Sequence, residues 1–581
     1  MKIIVFSSHT STWYFAFAEA IIASELQKIG NDVLYITSGN QFVGVSDLMQ
    51  ERILRKEFSL RGYEIGTKLT DDFKEINLIM KSLNKNNFKN LIIDNINIGK
   101  IALYEFIIHH KKMDLNINQE EWKECLVYIK NTLISFFACR TIIEKEKPDR
   151  ILMYNTLYSV NHVWERYANA RGIPVYFLHH GVNFSDIDNT LIIAKNDSLS
   201  FTKELINIWH KVKKIPVSQK MLSYVTDHFL ELLKATHYLV YSAPKSKKPI
   251  NIRKIFNIKD SQKILTATMS SYDEVFAAQY VGIWNLPNNL IFASQAEWIK
   301  ALIGYVKNRK NLFLIVRVHP REFPNKRESV KSEHARMLTK IFKNLPSNVK
   351  INWPTDNISI YDLAQETDVF LNAWSIVGVE MSLLGIPVVI YSKDLIMYPP
   401  DLNYVGKNLN DYFDKIELAL KDGWSYERIK KTYRWLSLYY CRTIVRFRNK
   451  KVDLLETTVK NSSFSVFNYF NTTLSPKIRS FVLRFLVIIP GLYIGKKQRE
   501  DCIRQLREHV DISALEKMLM KSEDTMVNLN EALASKVSTK EEDLSVQNEV
   551  RKIYQVFYDN VSKGTKIRKN SLQYNLKVFS K

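Results

Sequence analysis

A histidine between two arginines, at the end of an apolar run, is the part of this sequence most suited to chemistry. Residues 312–318 predict a buried strand, and His319, Pro320 and Arg321 follow it directly. Pro320 lacks an N–H and disfavours helix just before it, so the chain leaves the strand extended. At the sheet edge, the His319 imidazole would then stabilise the growing charge of a leaving phosphate. The guanidinium groups of Arg317 and Arg321 would bind that phosphate. The simpler alternative is that His319 only caps a loop.

A second candidate segment, residues 372–390, joins a strand to a helix through small residues. A helix that begins near Ser375 would present free N–H groups, which bind phosphate with help from the helix dipole. Glu380 lies about one and a half turns further on, where a carboxylate can bind the hydroxyls of a ribose. Its neighbours Val379 and Met381 are apolar, which argues against a solvated face. The alternative is that Ser375 is a simple N-cap and Glu380 a surface residue.

The polar loop 270–274 is the third candidate. It follows the predicted strand 263–268 and therefore lies at the same sheet edge. Ser270 and Ser271 would contact a phosphate or an acceptor there. Serine followed by an acidic residue is also a common way to start a helix, so an ordinary N-capping loop is the alternative.

The elements that must position these residues follow a β-α-β order. Strands are predicted at 3–6 and 33–37 with a helix at 14–29 between them, and the pattern returns at 148–181 and 263–391. This order is typical of parallel sheets with helices on both faces, whose carboxyl edges bind ligands. The predicted division is an N-terminal domain at 1–241, a basic linker at 242–262, a second domain at 263–430 and a helical, basic extension at 431–581.

Composition narrows the class of protein. The 581 residues are 46% hydrophobic with 17 Gly and 15 Pro, which excludes a mainly disordered or collagen-like chain. Four distant cysteines without a CxxC pair form no zinc or disulfide framework and suit a reducing cytoplasm. There is no P-loop, GxGxxG, HExxH or GxSxG motif. The net charge of +23 is consistent with binding of phosphorylated substrates or of an anionic membrane. The sequence lacks the interleaved aromatic and basic residues and the groove-reading motif that a nucleic-acid-binding protein would need, so we expect no nucleic-acid partner.

Membrane contact is predicted only at the surface. The N-terminus lacks the apolar core and cleavage site of a secretory signal. The most apolar stretch, 481–495, is broken by Arg484 and Pro490 and is too short to span a bilayer. It either lies in the interface with its flanking cations on anionic head groups or packs as a core helix. We expect a cytoplasmic protein, peripheral on the inner face of the cytoplasmic membrane.

These motifs together carry a family resemblance. Residues 268–391 resemble the donor-binding half of GT-B glycosyltransferases, and look most like bacterial capsule and surface-polysaccharide biosynthesis proteins, the group that includes Kdo transferases. The motifs are SSYDE (270–274), SQAEW (294–298), RVHPRE (317–322), DNISIYDL (356–363) and WSIVGVEMSLLGIPVV (374–389). The N-terminal β-α-β segment and residues 148–181 look like the acceptor half of that group.

The resemblance implies an α/β fold: two Rossmann-like domains facing across a cleft, here with a helical basic C-terminal extension. A nucleotide-sugar would lie mainly on the second domain and an acceptor glycan opposite it. In relatives the matching residues contact the donor nucleotide and its phosphate, which carries over to His319, Pro320, Ser375 and Glu380. GT-B enzymes commonly use no metal, and no Asp-x-Asp motif at a strand end argues otherwise, so no cofactor is expected.

An inverting transfer needs a base that deprotonates the acceptor hydroxyl. The candidates are His9 in the first loop, Asp94 after the apolar residues 91–93, and His179 or His180 after the apolar run that ends at 178. His9 is best placed, because the first loop of the N-terminal half faces the cleft in the GT-B arrangement. Each is also a plausible structural residue. The first loop is serine- and threonine-rich, not glycine-rich as in some GT-B families, which leaves the stereochemistry open.

The expected function is therefore transfer of a sugar, of hexosyl or Kdo/sialic type, from a nucleotide-sugar to a glycan or lipid-linked acceptor in bacterial capsule or surface-polysaccharide biosynthesis. Two alternatives stay open. One is a CDP-polyol phosphotransferase of the same fold. The other is a non-catalytic membrane-binding protein.

Overall fold

The computed structural model describes most of the chain. The described residues are 1–446, 537–558 and 571–579, apart from 40, 68–71, 188–189, 238, 249, 286, 288–289, 326–328 and 442–443. The segment 481–495, expected to touch a membrane or to pack as a core helix, lies outside the described residues, as does most of the predicted extension.

The secondary structure alternates between strands and helices over both halves of the chain. In chain order the strands are β1 (Lys2–Ser7), β2 (Asp32–Thr37), β3 (Ile92–Ile93), β4 (Ile96–Asn97), β5 (Arg150–Tyr154), β6 (Val175–His180), β7 (Thr190–Lys195), β8 (Lys263–Thr268), β9 (Leu312–Arg317), β10 (Val349–Asn352), β11 (Val369–Asn372), β12 (Val388–Ile390), β13 (Tyr404–Val405) and β14 (Ile444–Arg446). The helices are α1 (Trp13–Lys28), α2 (Leu48–Glu57), α3 (Asp72–Ser82), α4 (Ile98–Ile101), α5 (Tyr104–His110), α6 (Gln119–Glu146), α7 (Ser159–Asn169), α8 (Ser198–Val212), α9 (Gln219–Lys234), α10 (Ile252–Phe256), α11 (Tyr272–Tyr280), α12 (Gln295–Lys307), α13 (Glu333–Ile341), α14 (Ile360–Ala364), α15 (Val377–Leu383), α16 (Leu409–Asp422), α17 (Tyr426–Cys441), α18 (Thr539–Tyr558) and α19 (Leu572–Phe579).

Two six-stranded sheets form the two halves. The first has the order β14-β7-β6-β5-β1-β2, and the second β10-β9-β8-β11-β12-β13. All strands of the second sheet are parallel. In the first sheet, β7 is antiparallel to both of its neighbours. The predicted pair of Rossmann-like α/β domains is therefore confirmed.

The strands are apolar because helices cover both faces of each sheet. Residues 3–6 of β1 and 313–316 of β9 are almost completely buried, as in parallel sheets generally. Since such a sheet has only its strand ends open, polar side chains at the carboxyl ends are the ones that can meet a ligand.

The chain crosses back to the first domain after the second is complete. Helix α17 packs on α9 of the first domain, and β14 then pairs with β7 at the edge of the first sheet. Helix α18, from the predicted extension, also packs on α9. The first domain is thus built from both ends of the described chain.

The predicted linker contains ordered, packed structure. Helix α10 lies within it, and Ile252 and Phe256 join a buried apolar cluster. The buried Arg253 donates to the Glu366 carboxylate at 3.1 Å and to the carbonyl of Lys259 at 2.7 Å. This segment is therefore held rigidly against the second domain.

Within the described part of the chain, one helix, α6, has the length and composition to cross a membrane. About 67% of its most apolar 18-residue stretch is buried inside the protein. Its residue Ser135 accepts a hydrogen bond from the indole N–H of Trp164 in α7 at 3.0 Å. In this fold α6 is a core helix of the first domain.

Candidate active site between the two domains

A cavity of about 590 Å³ lies between the carboxyl edges of the two sheets. The first domain contributes His180 at the end of β6 and His228 from α9, and the second contributes Arg317, His319 and Glu380. Most of the remaining lining is aliphatic or aromatic. A concave, mostly apolar space with a few polar groups is the usual form of a small-molecule site.

Backbone geometry at the end of β9 turns His319 and Pro320 into the cavity. Pro320 begins a single 3-10 turn that ends at Glu322, with His319 in the extended conformation before it. The Nδ1 atom of His319 accepts a hydrogen bond from the N–H of Arg321 at 3.3 Å. His319 therefore caps the loop and also lines the cavity.

Arg317 is a buried cation that lines the same cavity. Its guanidinium donates to the side-chain oxygen of Asn352 and, at 2.7 Å, to the carbonyl of Ile358. Burial lowers its pKa to about 10, so the group is still protonated at neutral pH. A fixed positive charge thus lies at the carboxyl edge of the second sheet, as the sequence predicted.

Glu380 lines the cavity from α15. One carboxyl oxygen accepts a hydrogen bond from the hydroxyl of Tyr361 at 2.9 Å. Burial raises the pKa of Glu380 to about 7, against a smaller lowering by the Tyr361 hydroxyl. The side chain is therefore not solvated, and it exchanges its proton close to neutral pH.

Ser375 lines the cavity and lies just before helix α15, close to the expected helix start. Helix α15 begins at Val377 and has seven residues. The Ser375 hydroxyl accepts from the N–H of Val377 at 3.3 Å, and its carbonyl accepts from the Asn372 amide at 2.7 Å. The hydroxyl thus serves as a local cap, the simpler alternative from the sequence.

Arg321 does not line the cavity, contrary to its expected phosphate contact. Its guanidinium is buried between two carboxylates, with Asp273 at 2.9 Å and a shorter pairing with Glu274. The Ser271 hydroxyl donates to Asp273 as well. Arg321 therefore ties the loop after β9 to the start of α11.

The loop that begins at Ser270 also lies outside the cavity lining. Both backbone polar groups of Ser270 bond to the Gln295 side chain, at 2.8 and 2.9 Å. Its hydroxyl accepts from the N–H of Trp374 at 3.2 Å. Ser270 and Ser271 support the cavity walls, whereas Thr268 and Met269 just before them line it.

His9 lies in the first loop, as expected, in a hydrogen-bond chain that fixes its tautomer. The Asn161 amide nitrogen donates to the carbonyls of Tyr154 and Asn155 at 2.6 and 3.1 Å, so its oxygen faces Ser8. The Ser8 hydroxyl donates to that oxygen at 2.5 Å. Because the Ser8 hydroxyl has only one proton to donate, it must accept a hydrogen bond from His9 Nδ1–H, at 2.7 Å.

The lone pair of His9 is therefore on Nε2. Among the described residues nothing bonds to that nitrogen, and the residue keeps 7% of its surface exposed. Burial lowers the pKa of His9 to about 3, so the ring is neutral. His9 does not line the 590 Å³ cavity, but it lies at the carboxyl end of β1, on the same edge as His180.

The remaining predicted residues separate into two groups. His180 lines the cavity and its Nδ1 lies 2.8 Å from the carbonyl of Gly181, whereas His179 stacks on Tyr154 and stays outside the lining. Asp94 is an exposed residue in the two-residue turn between β3 and β4, with φ of +48°. The expected strand end at Asp94 is a hairpin turn, and this residue does not reach the cavity.

Sequence reasoning missed several polar cavity residues, among them His228 and Tyr440. His228 lies inside helix α9 and Tyr440 inside helix α17, and neither belongs to a motif in its amphipathic sequence. Only the crossing of the two helices brings them together. Among the described residues no group of three or more His, Cys, Asp or Glu side chains is arranged to hold a metal ion.

Comparison with known proteins gives distant likenesses only. No protein-family model and no curated protein sequence matches this chain. The UDP-GlcNAc 2-epimerase from Neisseria meningitidis bound to UDP-GlcNAc is 12% identical, covering 75% of this chain and 96% of that one, with a TM-score of 0.26. The KpsC β-Kdo 2,4 transferase of Thermosulfurimonas dismutans is 14% identical over 52% of this chain and 82% of its own, with a TM-score of 0.32. The β-Kdo 2,7 transferase of the same KpsC is 14% identical over 59% and 92%, with a TM-score of 0.29.

The GT-B arrangement rests on this chain's own architecture. Two Rossmann-like sheets direct their carboxyl edges at one interdomain cavity, and the chain returns to the first domain through α17. This confirms the predicted fold.

Proposed function

We propose that this protein is a glycosyltransferase that moves a sugar from a nucleotide-sugar to a glycan or lipid-linked acceptor in bacterial capsule or surface-polysaccharide biosynthesis. The observation that carries the proposal is the interdomain cavity, in which the buried cation Arg317 and the imidazole of His319 lie opposite His180. Fixed positive charge beside a small apolar cavity suits a phosphate-linked small molecule better than a polymer.

The donor side of the reaction uses the second domain. As the bond between the sugar and its phosphate breaks, the bond electrons pass to the phosphate oxygen, whose negative charge grows. Arg317 is already desolvated and directed by Asn352 and Ile358, so it can stabilise that charge without rearranging. When it is ionised, Glu380 accepts hydrogen bonds from the hydroxyls of the ribose.

The acceptor side uses the first domain. We assign His9 as the base: its Nε2 takes the proton of the acceptor hydroxyl while the oxygen bonds to the anomeric carbon. The Ser8–Asn161 chain holds the tautomer that this step needs. Because burial keeps the His9 pKa near 3, the lone pair is available at every pH above about 4.

The expected site of action is the inner face of the cytoplasmic membrane. The net charge of +23 supports attraction to anionic head groups, and a lipid-linked acceptor would be presented there. No metal is needed in this scheme, because Arg317 supplies the positive charge and the His319 imidazole a hydrogen bond to the leaving phosphate.

Nucleotide binding measured by thermal shift tests the proposal. CMP, CDP, UDP and GDP are added to the full chain, to His319→Ala and Glu380→Ala, and to the exposed-residue controls His210→Ala and Glu297→Ala. A nucleotide present at about a hundred times its dissociation constant raises the free energy of unfolding by roughly 2.7 kcal/mol. We expect one nucleotide to raise the melting temperature of the wild type and of both controls, and to raise it less in the two site variants.

The identity of that nucleotide discriminates between the open alternatives. CMP favours a Kdo- or sialic-type donor, whereas CDP favours a phosphopolyol donor. A well-folded wild type that responds to none of the four would overturn the proposal and leave the non-catalytic membrane-binding alternative.

A further inference from the structure

The cavity contains a hydrogen-bond donor that the proposed reaction leaves unused. His228 of α9 lines the cavity and is only 6% exposed. Its Nδ1 accepts the N–H of Phe184 at 2.9 Å. Burial lowers the pKa of His228 to about 3, so the neutral ring has its single proton on Nε2. Within the part of the chain that the structure describes, nothing accepts that proton.

Tyr440 of α17 adds a second polar group beside it. The rings of Tyr440 and His228 lie 4.6 Å apart, and Phe184 stacks on His228 at 5.1 Å with an angle of 13°. Tyr440 is buried and lines the cavity, and its hydroxyl bonds to no described residue. A ligand in the cavity can therefore bond to this hydroxyl.

Both groups line the same cavity as Glu380. The Glu380 carboxylate is one of the charges that raise the pKa of the Tyr440 hydroxyl. Phe229, next to His228, packs edge-on against Tyr361 at 5.6 Å, and Tyr361 holds one oxygen of Glu380. Helices α9 and α17 therefore place an N–H donor and a hydroxyl in the cavity that the Glu380 carboxylate of α15 also lines.

We propose that His228 and Tyr440 form, with the second carboxyl oxygen of Glu380, a subsite for the hydroxyl-bearing ring of a sugar-containing ligand. A sugar hydroxyl both donates and accepts, so it needs an acceptor such as a carboxylate and a donor such as an imidazole N–H at one place. The aromatic and aliphatic walls, which include Phe184, Leu232 and Leu436, suit the C–H faces of such a ring.

This inference rests on the proposed function and deepens it. The second domain would bind the donor through Arg317 and His319, and α9 of the first domain would bind the same ligand through His228. A ligand that touches both domains holds them together. The subsite therefore links donor binding to closure of the cleft.

Isosteric variants separate the two edges of the His228 ring. An asparagine at this position still offers an oxygen to the Phe184 N–H but cannot reach the Nε2 position, whereas a glutamine amide reaches Nε2 and loses the Phe184 contact. We expect His228→Asn to weaken ligand binding about tenfold with little change in melting temperature. His228→Gln should bind more tightly than His228→Asn while melting at a lower temperature.

Tyr440→Phe provides an independent variant with a matched control. Its affinity should also fall about tenfold. Tyr433→Phe makes the same change on the same helix, but the Tyr433 hydroxyl bonds to Thr226 at 2.9 Å outside the cavity lining. Its affinity should equal that of the wild type. The measurement is calorimetric titration with UDP-GlcNAc, each of the four free nucleotides and N-acetylglucosamine alone.

The outcomes distinguish this subsite from the proposed function. If the wild type binds a nucleotide or UDP-GlcNAc and neither His228→Asn nor Tyr440→Phe weakens that binding, the subsite is overturned and the donor site stands. If only N-acetylglucosamine binds, and its binding depends on His228, the subsite stands and the donor assignment fails. Absence of binding by all six ligands overturns both.

Discussion

Burial sets the ionisation state of the polar side chains in the cleft. It lowers the pKa of His9 and His228 to about 3 and raises that of Glu380 to about 7. Desolvation always disfavours the charged form, so imidazoles become neutral and carboxyls keep their proton. The two histidines are therefore a fixed acceptor and a fixed donor, and Glu380 is the group that titrates near neutrality.

His9→Asn tests the assignment of the base. An asparagine keeps a hydrogen bond to Ser8 but has no atom at the position of Nε2. We expect kcat to fall by about 10²–10⁴-fold, with unchanged nucleotide affinity because His9 does not line the cavity. Steady-state kinetics and titration calorimetry check both parts. An unchanged kcat for this variant, with a large loss in His180→Asn, would transfer the role to His180.

Asn161→Leu tests the hydrogen-bond chain behind His9. Without the Asn161 oxygen, the Ser8 hydroxyl is free to donate to Nδ1, and the proton of His9 moves to Nε2. We expect kcat to fall while donor affinity stays constant. Nitrogen-15 NMR of the imidazole reads the tautomer directly. A spectrum that keeps the proton on Nδ1 would show that Asn161 does not set it.

Glu380→Gln tests the raised pKa through stability. The pKa is about 7 in the folded protein against an ordinary value of 4.5 for a glutamate, so the folded state holds the proton more tightly. Rising pH from about 4.5 to 7 therefore lowers the free energy of unfolding of the wild type, and the loss is complete above 7. The glutamine variant has no such titration. Urea denaturation at both pH 5 and pH 8 should show that the free energy of unfolding of the variant, relative to that of the wild type, is greater at pH 8 than at pH 5.

At the scale of elements, a helix distant in sequence completes the packing of α9 and α17. Glu542 of α18 is completely buried and pairs with Arg434 of α17. It also accepts the N–H of Val217, just before α9, at 3.0 Å. One carboxylate thus joins three segments, which explains how the predicted extension becomes part of the first domain.

Glu542→Ala should destabilise the protein by about 3–5 kcal/mol, because it leaves the Arg434 charge without its partner in a largely buried place. Glu427→Ala on α17 is the matched control. Its side chain is 76% exposed, and its effect should stay within about 0.5 kcal/mol. Urea denaturation of the full chain measures both. Equal effects in the two variants would contradict this docking of α18.

At the scale of the whole molecule, the first domain forms hydrogen bonds and an ion pair with the loop that follows His319. The ammonium of Lys111, just after α5, donates to the carbonyl of Val330 at 2.9 Å and, more closely, to that of Arg321. Lys112 pairs with Glu333 at 2.8 Å. Both lysines are buried. These contacts join the two domains beside the cavity.

Lys111→Met should weaken the attachment of this loop to the first domain, because two carbonyls lose their hydrogen-bond donor. Each loss should lower the free energy of unfolding by about 1–3 kcal/mol. We expect faster amide exchange in residues 319–333 and a larger radius of gyration, with the second domain still folded. Lys100→Met, at an exposed position of the first domain, is the control. Exchange rates equal to those of the wild type in residues 319–333 would show that Lys111 does not hold the loop.

Much of the architecture follows from local pattern. Apolar runs at 3–6, 175–178 and 312–318 predict buried strands, and turn residues between them predict the β-α-β order. Those strands are β1, β6 and β9 of the two sheets. The apolar residues before Asp94 gave a similar signal but form a short hairpin, because a two-residue strand and a sheet strand have the same local pattern.

The sequence by itself determined the fold class, the sheet edge of the candidate site and the segment around His319, because strand periodicity and a proline after a strand act over a few residues. Only the tertiary structure decided that Arg317 lines the cavity while Arg321 is held by Asp273. It alone joined His228 to Tyr440 across two helices. Burial and pairing between distant residues set these outcomes, and neither is encoded in local spacing.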